Sequence, residues 1–154
     1  FVLTSALTTL SDHAFYQNDI GGFCSPILFY DPSGELFEAG MREAIAQHID
    51  IMPSVLGLLN HNEPYLAFGC DLFHTPADST WAVNYNNGIY QYVKHNRLLQ
   101  FGTMHTHAVY ALTDSLLQHN LINEEPQLQA SMERELKAII QQYMSRMNED
   151  RLTP

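Results

Sequence analysis

The sequence predicts an α+β domain in which a small antiparallel sheet of about three strands packs against about four helices. Three observations carry this. Apolar residues recur at helical spacing near both ends of the chain, Asn86-Asn87-Gly88 separates two segments suited to a hairpin, and no repeat or linker divides the sequence. At 154 residues the chain is the length of one domain, so residues 1–154 are read as a single unit.

In order along the chain, Leu3, Ala6, Leu7, Leu10, Ala14 and Phe15 predict an opening amphipathic helix ended by Gly21-Gly22. Residues 23–30 read as extended, with Pro26 confining them to a sheet edge or an irregular stretch. Asp31-Pro32-Ser33-Gly34 is a turn. A second helix is expected from Leu36, Phe37, Met41, Ala44, Ile45, Ile49 and Met52, broken or kinked at Pro53 before residues 55–59 continue its face. Residues 65–73 read as a strand followed by a loop at Thr75-Pro76-Ala77-Asp78, and residues 80–85 and 89–93 as the hairpin. Residues 97–106 fit strand or helix. From His107 the spacing of Ala108, Ala111, Leu112, Ser115 and Leu116 turns helical. Asn123 ahead of Glu124-Glu125-Pro126 marks a last helix start, with Glu133 and Lys137 four apart on its wet side.

Charge narrows the function. The net charge is −10, and residues 1–93 hold ten acids against the single base Arg42. Nucleic acid and anionic lipid are disfavoured, since affinity for either rests on Lys and Arg. A basic protein partner gains faster encounter, although acidity also serves solubility alone. Cys24 and Cys70 make no metal or redox motif and read as reduced core thiols of a cytoplasmic protein. No apolar run is long enough for direct membrane insertion.

No cofactor motif and no catalytic set emerges: a nucleophile elbow, a P-loop and a dinucleotide fingerprint are all absent. His61, His74 and Asp71 flank the expected 65–73 strand without a spacing that fixes a site. Gly102-Thr103-Met104-His105-Thr106-His107 is the sharpest chemical feature. On a strand, His105 and His107 share a side and suit one metal ion, whereas on a helix they diverge. The segment resembles the motif of the JAMM zinc isopeptidases, but Ala108 replaces the usual Pro and Asp114 comes too early for the third ligand. A metal-dependent hydrolase using His105 and His107 is thus the alternative reading. A small-ligand sensory domain is another, because Trp81, Tyr85, Tyr90 and Tyr92 suit a pocket as well as sheet packing or an interface.

Three groups of residues carry a family resemblance. They are Phe15-Tyr16-Gln17-Asn18-Asp19; Glu38-Ala39-Gly40-Met41 with Ala44-Ile45-Ala46 and Asp50; and Leu98-Leu99 ahead of Asp114-Ser115-Leu116-Leu117. In these the chain resembles the small acidic adaptors of the Dot/Icm type IVB secretion system, the group of IcmS, IcmW and LvgA. The resemblance implies a cytoplasmic, non-catalytic adaptor or chaperone without cofactor. Its partners would be a coupling-ATPase segment, sister adaptors and effector proteins recruited for virulence. It transfers no functional residue. The candidates for protein binding are read from apolar patterning instead: Leu128, Met132, Leu136, Ile139 and Tyr143 on the last helix, with Trp81 and Tyr90 as anchors. The same helical stripe is better suited still to packing on the chain's own core.

Overall fold

The computed structural model describes residues 1–6 and 11–153. Its centre is a four-stranded antiparallel meander of β3 (Ala82–Asn86), β4 (Ile89–Lys94), β5 (Arg97–Phe101) and β6 (Thr106–Ala111). Two tight turns set the register. Asn87 and Gly88 (φ 50° and 83°) close the first, and His95 and Asn96 (φ 47° and 60°) close the second. Paired positive φ values match the twist of the strands, and Asn and Gly reach them at low cost. The third connection is wider. It is held by the Gly102 N–H donating to His105 O and ends in a register shift at Gln100/Phe101.

Alternation along these strands produces two apolar faces. On one, Tyr92, Leu99, Phe101 and Val109 meet Met132 and Leu136 of the long helix α2 (Pro126–Asn148). On the other, Ala82, Val93 and Leu98 meet Ile20, Ile45, Tyr110, Leu112 and Leu117. Leu98, Leu99, Met132 and Leu136 are fully buried. Truncating such a side chain to Ala costs about 2–5 kcal/mol.

The edges of the meander are closed by amide side chains. Gln47 accepts from the Val83 N–H and donates to the Trp81 carbonyl along β3. Asn120 accepts from the Val109 N–H along β6, and the Leu121 N–H donates to the Val109 carbonyl. Unpaired edge groups are an invitation to aggregation, and here both edges are partly occupied from within the chain.

A second layer comes from the first half. Strands β1 (Val2–Thr4) and β2 (Ile27–Phe29) form a separate antiparallel pair. Phe29 and Phe37 both pack on Phe73, with ring centres 5.0 and 5.3 Å apart. Helix α1 (Ile51–Leu58) holds residues 69–72 through one face. Asp50 Oδ1 accepts from the Cys70 N–H, Ser54 Oγ accepts from the Leu72 N–H, and Gly57 leaves space for the Asp71 carboxylate. Positions 50, 54 and 57 lie one turn apart on that face, which is why three such different residues act together.

The mixed α+β class, the Asn87-Gly88 hairpin, the Asp31 turn, extended residues 27–29 and the last helix follow the expectation. Other elements do not. Among the described residues there are six strands and two α-helices, rather than about three and about four. The expected opening helix is instead strand β1, paired with β2, and a 3₁₀ turn at Ala14–Gln17; Leu7 and Leu10 lie outside the described residues. The second helix shrinks to α1, because residues 45–47 spend their polar groups on the segment leading into β3: the Ile45 N–H donates to Thr80 Oγ1 and the Gln47 amide to the Trp81 carbonyl. Pro53 sits in the first turn of α1, where its missing N–H is not needed, so it breaks nothing. Residues 65–73 form no strand, since α1 side chains claim their N–H groups. The helix expected from His107 is strand β6, paired with β5 over Arg97–Phe101.

Gly57 gives a test with opposite signs from helix propensity and packing. Ala is the better helix former by about 1 kcal/mol, yet a Cβ at Gly57 would lie 2.0 Å from Asp71 Oδ2. Gly57→Ala is expected to destabilise the domain by about 1–3 kcal/mol in urea unfolding, as overpacking does. Gly40→Ala, where a Cβ meets nothing within 4 Å, is expected to be near neutral.

Candidate functional site

Of the residues expected to bind a partner, most are committed to the interior. Met132 and Leu136 are fully buried against the sheet, and Leu128 and Ile139 pack around them. The apolar stripe of α2 is therefore core over three turns. Trp81 leans on Tyr92 at 6.2 Å and joins the same cluster. Tyr143, beyond the end of the sheet, is partly exposed and meets Phe68 edge-on at 5.3 Å. Tyr90 pairs with Tyr85 across the hairpin at 4.6 Å.

A polar rim surrounds the buried stripe and fixes how α2 lies. Glu135 accepts from both Tyr92 Oη (2.9 Å) and Lys94 Nζ (2.7 Å). Arg97 holds Glu125, just ahead of the helix, through Nε and Nη2. Thr106 donates to Glu133, which also pairs with Lys137, and the Lys137 ammonium sits 5.0 Å from the Phe101 ring centre. Burial, and then the neighbouring Glu135 carboxylate, push the Tyr92 hydroxyl well above its usual range. For Glu135, burial acts upward, but the bonds from Lys94 and Tyr92 outweigh it and hold the carboxyl below its ordinary value.

Where α2 overhangs the sheet, an open groove of about 600 Å³ forms. Tyr90, Phe101 and Ile140 line it, together with Tyr85 of the hairpin, Met104 of the β5–β6 connection and Met144 of α2. Tyr85 is 60% exposed, Met104 80% and Met144 45%. Such a set of flexible thioethers and a rigid phenol is concentrated at surfaces that bind protein segments. Of the expected anchors only Tyr90 lines it. Met104 and Met144 were missed because nothing in their spacing shows that the helix outruns the sheet.

Groups able to do chemistry are scattered. His105 and His107 are both exposed, with ring centres 4.4 Å apart; His107 lies in β6 and His105 in the bend just ahead of it. No third His, Cys, Asp or Glu gathers with them into a metal-holding group among the described residues. His74 does reach Asp71, at 2.7 Å, as an exposed imidazole on a carboxylate. His61 rests against Tyr65. Cys24 and Cys70 are free thiols, and the placement of Cys24 at the surface corrects the expectation that both are core. Burial and then the Asp50 charge raise the Cys70 thiol, which works against a thiolate nucleophile. Asp50 is fully buried and raised by that burial, with both carboxylate oxygens taken by the N–H groups of Cys70 and Gln47.

No helix among the described residues is long and apolar enough to cross a membrane. No family model, curated protein or solved structure matches the chain.

The rim predicts an acid-side dependence of stability. A carboxyl held below its ordinary value contributes stability that is complete above the unfolded value, and loses it as pH falls through the folded one. Thermal melts at stepped pH are expected to show a shallower acid decline in Glu135→Gln than in the parent. Equal slopes would mean that Glu135 contributes nothing to the acid limb.

Proposed function

We propose that this chain is a non-catalytic protein-binding adaptor that captures a segment of another protein in the groove at the C-terminal end of α2. The observation that carries the reading is the convergence of Tyr85, Met104 and Met144, all substantially exposed, over a floor of Tyr90 and Phe101. Leaving these side chains in water forgoes about 25 cal/mol for each Å² of apolar surface that a partner could cover. Tyr143 and Met147 extend the exposed apolar surface along the same end of the helix. The strong negative charge of the chain favours a partner with a basic character around its apolar anchors.

The sequence resemblance gives this partner its proposed identity. In a Dot/Icm type IVB secretion complex the occupant would be the C-terminal segment of the coupling ATPase, with sister adaptors and effector proteins assembling around it in the cytoplasm. Among that group LvgA is the member the chain resembles best in size. Asp50, Cys70 and His74 each serve to hold residues 69–75 beside α1, apart from the His105–His107 pair, which supports a binding role over a hydrolytic one.

Met104→Asp and Met144→Asp place a charge on the groove wall without touching the buried stripe. Each is expected to weaken binding of the coupling-ATPase C-terminal segment by about 1–3 kcal/mol in titration calorimetry while leaving the melting temperature near that of the parent. Full-strength binding in the double variant would remove the groove from the reading. Absence of binding by the parent chain would remove this partner.

A further inference from the structure

The end of the sheet that carries the groove also carries two imidazoles with no structural duty. His105 and His107 are exposed, and neither imidazole makes a hydrogen bond to the described residues. A His on a protein surface ordinarily points into solvent alone. Here the two rings come to 4.4 Å between centres, tilted by 50°, beside the irregular register between Gln100/Phe101 and Thr106. Bulges of this kind re-aim side chains at the end of a ladder.

Gly102 makes the arrangement possible. A Cβ there would fall 2.0 Å from His107 Nε2 and 2.6 Å from its Cδ2. The ring therefore rests with its Nε2 edge on bare backbone, which leaves Nδ1 as the nitrogen His107 presents. Thr106, between the two His, is held by its bond to Glu133, so the backbone that carries both rings is anchored to α2.

We infer that His105 and His107 form a two-imidazole site for a tetragonal divalent transition-metal ion, copper(II) being the ion it fits best. Two imidazoles sharing one ion, with metal–nitrogen bonds of about 2.0 Å at a right angle, have ring centres about 4.4 Å apart; a tetrahedral angle widens this to about 5 Å. The observed spacing is the one that two nitrogens converging on adjacent corners of a square would give, the arrangement copper(II) and nickel(II) prefer, and copper(II) binds nitrogen donors more tightly than its first-row neighbours. Water completes the remaining positions. This is a binding site, open on its outer side. It stands apart from the adaptor reading, which it neither requires nor supports.

The test uses the full untagged chain, stripped with chelator and titrated with copper(II). Electron paramagnetic resonance counts the coordinating nitrogens, and competition with a chelating dye gives the affinity. One ion per chain with splitting from two equivalent nitrogens is expected. His105→Gln and His107→Gln should each weaken binding by about tenfold or more, and their combination should abolish the two-nitrogen signal. His61→Gln and His119→Gln should leave it unchanged. Gly102→Ala keeps both imidazoles but displaces one, and should weaken copper while circular dichroism shows the fold intact. Retention of the two-nitrogen signal in the His105/His107 double variant, or a one-nitrogen spectrum in the parent, overturns the site.

Discussion

The contact of α2 with one face of the meander is the interaction on which the remainder of the structure depends. Met132 and Leu136 are fully buried there, in one cluster with Tyr92, Leu99 and Val109. A helix resting on a sheet through apolar side chains alone can slide, because burial is not directional. Three charge-assisted attachments remove that freedom: Arg97 to Glu125 before the first turn, Lys94 and Tyr92 to Glu135 in the middle, and Thr106 to Glu133 one helical turn's face away. Each sheet partner is at a strand end or beside one, so together they frame the apolar patch. Because the rim is partly wet, its contribution lies more in fixing position than in adding free energy.

Fixing α2 in this way determines where the helix leaves the sheet. It begins beside Arg97, at the β4–β5 turn, and runs toward the opposite end, where the β3–β4 turn and the β5–β6 connection meet. Ile140 still has the sheet beneath it; Met144 and Met147 do not. The groove is the geometric result of a helix longer than the strands it crosses. At the sides, in contrast, Gln47 and Asn120 occupy edge positions of the ladder, and the other face is covered by residues from 20–45 and 110–117. Exposed apolar surface next to this core is thereby concentrated at one end.

Legibility in the sequence followed how local each signal was. The β3–β4 hairpin was readable because Asn87 and Gly88 announce positive φ by composition. The last helix was readable because its Pro and its period both lie within it. The β4–β5 turn was not, since His95 and Asn96 make the same geometry with a residue that rarely signals a turn. Residues 36–47 and 65–73 failed for another reason. Their backbone groups are satisfied by side chains distant in sequence: Thr80 for Ile45, Asp50 for Cys70, Ser54 for Leu72. Helical spacing and strand propensity are only preferences, and a long-range hydrogen bond outweighs either. Asp50 could be singled out only as an acid, when its burial between two N–H groups is its whole role. The groove shared this fate: Tyr90 stood out as an aromatic on a hairpin, while Met104 and Met144 acquire meaning only from the overhang.

The same distinction separates the chemistry of this chain from its binding surfaces. An active site needs an acid, a base or a nucleophile held in mutual reach with solvent controlled around it. Asp50 is buried and fully bonded, Cys70 is pushed away from its thiolate form by burial and then by that carboxylate, and the Asp71–His74 pair points an open imidazole to water. Each of these groups lies in or beside the α1 layer, and each is explained by holding residues 69–75 in place. The two imidazoles at the β5–β6 connection are the exception, lying away from that layer and making no side-chain hydrogen bond to the described residues. They stand on either side of Thr106, whose hydroxyl is bonded to Glu133, so the backbone that carries them is tied to α2. Rigidity of that sort is what separates a chelating pair from two histidines that happen to be neighbours, since a preformed site loses less entropy on binding an ion.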